Sequence, residues 1–176
     1  MAPSFLSFLK MKRRVLWAPW RMEYVQNSDA FSVCIFCAKP GENLDRKNLI
    51  VHRGNHAFVI MNRYPYNSGH LMIVPYRHTA ELSTLTGSEC SELFQLLARS
   101  EQVLRTVLKP QGFNIGMNVG KIAGAGMEDH LHFHLVPRWT GDTNFMPITG
   151  HAKVVSEGLE HTWEKLVAAF PVSTSS

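Results

Sequence analysis

Histidine recurs at positions 130, 132 and 134, and the intervening and following residues Leu131, Phe133, Leu135 and Val136 are large and apolar. An extended strand sends successive side chains to opposite faces. The spacing therefore predicts the three imidazoles on one face and Leu131, Phe133 and Leu135 on the other. Aligned imidazoles can ligate a metal, act as nucleophile or base, or bind phosphate. Attack on phosphorus needs one ring nitrogen free and the other tied down as a donor, and the middle histidine, flanked on both sides, is best placed for that. A second group with reactive chemistry is Cys34 and Cys37, separated by Ile35 and Phe36. Such a pair is either a redox couple or half of a metal site.

The elements that must hold these residues can be read from turn signals and periodicity. Residues 48–52 and 56–61 read as two strands separated by a turn at Gly54 and Asn55, after a polar loop with Pro40, Gly41 and Asn43. A loop rich in Pro, Asn, Ser and Gly covers 62–69, and a third strand covers 70–74. From Thr86 the residues Leu93, Leu96, Leu97, Val103, Leu104 and Val107 fall at helical spacing, and Pro110 and Gly112 stop the helix. A fourth strand covers 113–119, and a glycine-rich loop over 120–126 leads into the histidine strand. A final helix runs over 153–170, and a short one begins near Pro19 within the aromatic stretch 17–24. Turns too short for parallel crossovers, with helices segregated from strands, predict an α+β fold: an antiparallel sheet of about five strands, a long helix and a C-terminal helix.

At 176 residues the chain fits one domain, read as an N-terminal extension over 1–30, a main domain over 31–146 and a helical tail over 147–176. The formal charge of +4 suits an anionic ligand, but Lys and Arg are scattered and form no nucleic-acid module. No apolar run approaches a membrane span. The basic residues Lys10, Lys12, Arg13 and Arg14 follow the N-terminal apolar patch and do not precede it, unlike a signal peptide. With an odd total of three cysteines, these features imply a reducing, cytoplasmic setting. Cys90 reads as a small buried hydrophobe, and His52, His56, His151 and His161 as surface or capping residues.

Together with Asn62, Gly69-His70, residues 74–78 and Asn118, the histidine segment resembles the histidine triad superfamily of nucleotide hydrolases and transferases, over about 34–139. Val136-Pro137-Arg138 is similar to its Fhit-type branch. The stretches 62–70 and 139–145 resemble bacterial diadenosine tetraphosphate phosphorylases and hydrolases. The resemblance implies cleavage of dinucleoside polyphosphates at the α-phosphate through a nucleotidyl-histidine, with water or inorganic phosphate as acceptor. Adenylyl phosphoramidate hydrolysis and non-catalytic nucleotide binding are the alternatives. It implies His132 as nucleophile, its second nitrogen held by the His130 carbonyl, with His134 and His70 at the phosphate or leaving group. It further implies Asn62 on the ribose, Ile60 in the base pocket, and Asn118, Gly124 and Gly126 near the phosphates. Relatives that bear zinc imply a structural zinc on Cys34, Cys37, His78 and His130. No organic cofactor is implied, the substrate binds as a magnesium complex, and the chain forms a homodimer, to which the 17–24 stretch is suited. Many relatives carry a hydroxyl shortly before the triad. Here Met127, Glu128 and Asp129 stand there.

Overall fold

The computed structural model describes residues 33–142 and 158–170. The short helix near Pro19, the 17–24 seam, His151, residues 143–145 and the start of the C-terminal helix lie outside these. In chain order the elements are α1 (Ile35–Gly41), α2 (Asp45–Asn48), β1 (Ile50–Arg53), β2 (Ala57–Met61), β3 (Leu71–Pro75), α3 (Gly87–Leu108), β4 (Gly112–Met117), β5 (Phe133–Arg138) and α4 (Leu159–Ala169). Single 3-10 turns at Leu82–Thr84 and Lys121–Ala123 precede α3 and β5. The five strands form one antiparallel sheet in the order β1-β2-β3-β5-β4.

β2 and β3 are apolar at every position, and every one of their residues is buried. A short continuous apolar run of this kind needs cover on both faces. Val59, Met61, Leu71, Ile73 and Leu135 meet the buried stripe of α3 (Leu93, Leu96, Leu97, Val103, Leu104) and Leu166 of α4. On the other face Phe58, Ile60, Met72 and Val74 pack with Ile50 and with Phe36 of α1. The histidine side of the sheet is thus a second, smaller core. Among the described residues no helix is long and apolar enough to cross a membrane.

α3 begins where its sequence places it. Thr86 caps it in a reciprocal capping box with Glu89. It ends at Lys109, which turns left-handed ahead of Pro110, and Gly112 opens β4 instead of serving as a stop. Pro40 and Gly41, read as loop, end helix α1, and Asp45–Asn48 adds a helical turn where the first strand was expected to begin. Leu49, in the left-handed region, separates that turn from β1. Along α3, Glu92 accepts the backbone N–H groups of Asn55, His56 and Ala57, pinning the β1–β2 turn. A Cβ on Gly54 would come within 2.7 Å of the Glu92 carboxylate and 2.8 Å of the Ala57 carbonyl oxygen, so that close approach requires glycine.

Candidate active site

The ladder between β3 and β5 pairs Leu71 with Leu135, Met72 with His134 and Ile73 with Phe133, and then stops. Only His134 of the three histidines therefore lies within a strand; His130 and His132 occupy the segment leading into it. β3 ends at Pro75, and beyond it the chain turns so that Leu131 N–H bonds the Thr79 carbonyl at 2.8 Å instead of a strand partner. The alternation nevertheless persists beyond the ladder. The His132 and His134 rings lie 4.8 Å apart, and Phe36 of α1 sits 5.5 Å from His130 and 4.9 Å from His132. His130 and His132 are buried, 1% and 4% exposed.

Main-chain carbonyls assign the ring protons, because a carbonyl oxygen can only accept. His132 Nδ1–H donates to the His130 carbonyl at 2.8 Å, leaving Nε2 with its lone pair. His130 Nε2–H donates to the Pro75 carbonyl at 2.9 Å, leaving Nδ1 with its lone pair. Burial pushes the His132 pKa below the usual histidine value, partly offset by the carbonyl bond. Burial also lowers that of His130, again partly offset by its carbonyl bond, with smaller contributions from His78 and His132. A buried neutral imidazole with one fixed proton is what nucleophilic attack requires. His70, buried at the entrance to β3, places Nε2 3.0 Å from His134 Nδ1.

The free Nδ1 of His130 faces a cluster. It lies 3.3 Å from Cys34 Sγ, 3.6 Å from Cys37 Sγ and 3.3 Å from His78 Nδ1, and His78 Nδ1 lies 3.3 Å from Cys37 Sγ. All four ligand atoms fall within 4.8 Å of one another, so the cluster can hold a metal ion. Tetrahedral zinc, with bonds of about 2.1 Å to nitrogen and 2.3 Å to sulfur, sets its ligands roughly 3.4–3.8 Å apart. The His130–Pro75 bond supplies the outer partner that orients a ligating histidine. Desolvation, then the neighbouring Cys34, pushes the Cys37 thiol up to about 11. Cys90 lies apart and is half-buried, less covered than expected.

The other sequence candidates are placed as follows. Asn62 directly follows β2 and its Oδ1 accepts Tyr64 N–H at 2.9 Å, a turn cap. Ile60 is fully buried in the second core, behind the site surface. Asn118 Nδ2 donates to the Gly124 carbonyl at 3.3 Å, tying the glycine loop to the end of β4. Gly124 needs its glycine for φ +88°, and Gly126 is half-buried next to Met127, which packs on the second core. His52 is half-buried against Phe170, and His56 and His161 are exposed. Sequence reasoning missed Phe36 and Tyr66. Phe36 sits inside the Cys34–Cys37 spacing, where only the cysteines drew notice. Tyr66 stacks on His70 and donates its N–H to His70 Nδ1, a contact for which a loop aromatic gives no periodic signal.

Residues 43–141 match the HIT domain family. An AP-4-A phosphorylase of Mycobacterium tuberculosis (strain ATCC 25618 / H37Rv) is 42% identical over 155 residues, covering 84% of this chain and 79% of that protein. A Bis(5'-nucleosyl)-tetraphosphatase (asymmetrical) of Schizosaccharomyces pombe is 31% identical over 93 residues, covering 53% of this chain and 50% of that protein. A Zn-bound histidine triad family protein from Mycobacterium smegmatis superposes with a TM-score of 0.63 at 25% identity, over 77% of this chain and 91% of that one.

Proposed function

The chain belongs to the HIT domain family, and from that premise we propose that it is an enzyme cleaving dinucleoside polyphosphates such as diadenosine tetraphosphate. The observation that carries this is His132, buried, with Nδ1–H on the His130 carbonyl and Nε2 left as a lone pair. Nε2 attacks the α-phosphorus, the bond to the bridging oxygen breaks, and the remaining polyphosphate leaves as an anion. The cationic ring of the nucleotidyl-histidine keeps its Nδ1–H on the carbonyl. Water then releases a nucleoside monophosphate, or inorganic phosphate releases a diphosphate. The relatives named an AP-4-A phosphorylase and a tetraphosphatase support the substrate class.

In this reading His134 and His70 meet phosphate oxygens, Asn62 the ribose, Ile60 backs the base, and Asn118, Gly124 and Gly126 shape the phosphate loop. The substrate enters as its magnesium complex. Cys34, Cys37, His78 and His130 hold a structural zinc that supplies rigidity between α1 and the nucleophile's neighbour, with no role in the chemical step. The domain spans 31–146, between a 1–30 extension and a 147–176 tail. The chain acts as a homodimer in the cytoplasm. β4 supports association, since it is an edge strand among the described residues and its Ile115 is 52% exposed. Product analysis from diadenosine tetraphosphate tests the function: turnover must vanish in His132→Ala, and ADP appearing only with inorganic phosphate identifies a phosphorylase. Full activity in His132→Ala would refute the mechanism.

A further inference from the structure

We propose that Tyr66 is a positioning residue that fixes His134 as a neutral hydrogen-bond donor through Nε2. The chain of protons starts at the backbone. Tyr66 N–H lies 3.1 Å from His70 Nδ1, and because a peptide N–H only donates, that ring nitrogen is an acceptor. Neutral His70 then carries its one ring proton on Nε2, 3.0 Å from His134 Nδ1. His134 Nδ1 accepts it, and the proton of neutral His134 is left on Nε2. An imidazolium at His134 would set two N–H groups against each other across that 3.0 Å contact, so the arrangement disfavours the charged ring.

The Tyr66 side chain keeps this line straight. Its ring stacks on His70, with centroids 5.1 Å apart and planes 18° from parallel, and meets His134 edge-on at 6.2 Å and 62°. The loop carrying it is anchored beside it. The Asn67 carbonyl accepts His70 N–H at 3.1 Å, and Asn67 Nδ2 donates to the Pro137 carbonyl at 3.1 Å and to Asp142 at 2.9 Å. His70 therefore cannot change tautomer without losing the Tyr66 N–H hydrogen bond, nor rotate without also losing the stacked contact. The touching rings of His132 and His134 thus have opposite polarity: one offers a lone pair, the other an N–H. His134 donates to a phosphoryl oxygen and does not act as a base toward the acceptor. The chemical meaning of this assignment rests on the proposed function, whereas the tautomer itself does not.

Long-range 1H–15N correlation of the imidazoles in the full-length labelled protein reads the tautomer directly. The wild type should show His134 protonated on Nε2 and bare on Nδ1, and so should Tyr66→Phe, which keeps the ring. Tyr66→Ala, and Tyr66→Leu, which refills the volume without stacking, should show mixed tautomers. With diadenosine tetraphosphate their kcat should fall roughly 10- to 100-fold while KM moves little, the loss of one aligned donor in the transition state. Tyr66→Phe should restore the rate. A wild-type His134 protonated on Nδ1 overturns the proposal, as does a Tyr66→Leu protein with wild-type spectrum and kcat. If the wild type fails to turn over this substrate, the proposed function falls and the spectra alone decide for or against the relay.

Discussion

Removing the proposed zinc should loosen the site from its rear. The four ligands come from α1 (Cys37), its N-terminal flank (Cys34), the segment after β3 (His78) and the approach to β5 (His130), joining parts of the chain as much as 96 residues apart. Structural zinc contributes about 10–16 kcal/mol where a peptide folds only on binding it. Here α1 also packs through the buried Phe36, so only part of that figure applies. Linkage gives the expected scale: free zinc about a thousand-fold above its Kd stabilises the folded state by about 4 kcal/mol. In a domain of this size 1 kcal/mol moves the melting temperature by about 2–4 °C, so chelation should lower it by roughly 8–16 °C. Activity should fall as well, because Phe36 packs on His132 and the carbonyl orienting His132 belongs to the ligand His130. Metal content by mass spectrometry, calorimetry with and without chelator, and re-addition of zinc provide the assay. Cys37→Ser should melt like the chelated protein and ignore added zinc, whereas Cys90→Ser, outside the cluster, should not. A protein purified without chelator that holds far less than one metal per chain, and melts identically with chelator and with zinc, refutes the reasoning.

Other perturbations follow from the same packing. The Arg77 guanidinium, then the Thr86 backbone N–H, holds the Glu89 carboxyl down at about 2 against an ordinary 4.5. A depressed carboxylate pKa contributes stability that is complete above the unfolded value and lost as pH falls through the folded one. The gap in urea midpoint between wild type and Glu89→Gln should therefore shrink from pH 5 to pH 2, and a gap independent of pH would contradict the assignment. In Gly69→Ala, the new Cβ would collide with Leu108 Cδ1 and lie 3.0 Å from Leu104 Cδ2, at φ +74°. Left-handed strain and overpacking together should cost about 2–4 kcal/mol in urea denaturation. Gly87→Ala, with open space around its Cβ, should not be destabilised. Ser100 Oγ is the one fully buried side-chain polar atom among the described residues without a hydrogen-bond partner, so Ser100→Ala should raise stability by about 1 kcal/mol.

The parts legible in the sequence were those with a period or a punctuation mark. Apolar runs over β2 and β3, the helix start at Thr86 and the stripe of α3 gave the α+β fold, and the period of two at 130–134 marked the site. What stayed hidden depended on where a ladder ends. Strand periodicity predicts that His130 and His132 belong to a strand, but pairing with β3 stops at Phe133, and the Leu131 N–H goes to the Thr79 carbonyl instead of a strand partner. Pro40 inside α1 and the turn at Asp45–Asn48 read as loop because each helix is too short to show a period. The stack of Tyr66 on His70 carries no linear signature, since it depends on a loop folding back on itself.

The histidines at 130, 132 and 134 are chemically identical, and their spacing alone would make them equivalent. Their environments are distinguished by the main chain. The Pro75 carbonyl takes the Nε2 proton of His130 and turns Nδ1 toward the cysteines; the His130 carbonyl takes the Nδ1 proton of His132 and exposes Nε2. A backbone N–H at Tyr66 works in the opposite sense, through His70, on His134. Because these partners are backbone atoms, no side-chain substitution removes them directly. The assignment can be disturbed through the Tyr66 ring stacked on His70, or through whatever fixes the backbone: Pro75 closing β3, Gly69 ahead of His70, and Asn67 tied to Pro137 and Asp142. Changes at these positions should impair the chemistry while leaving every histidine in place.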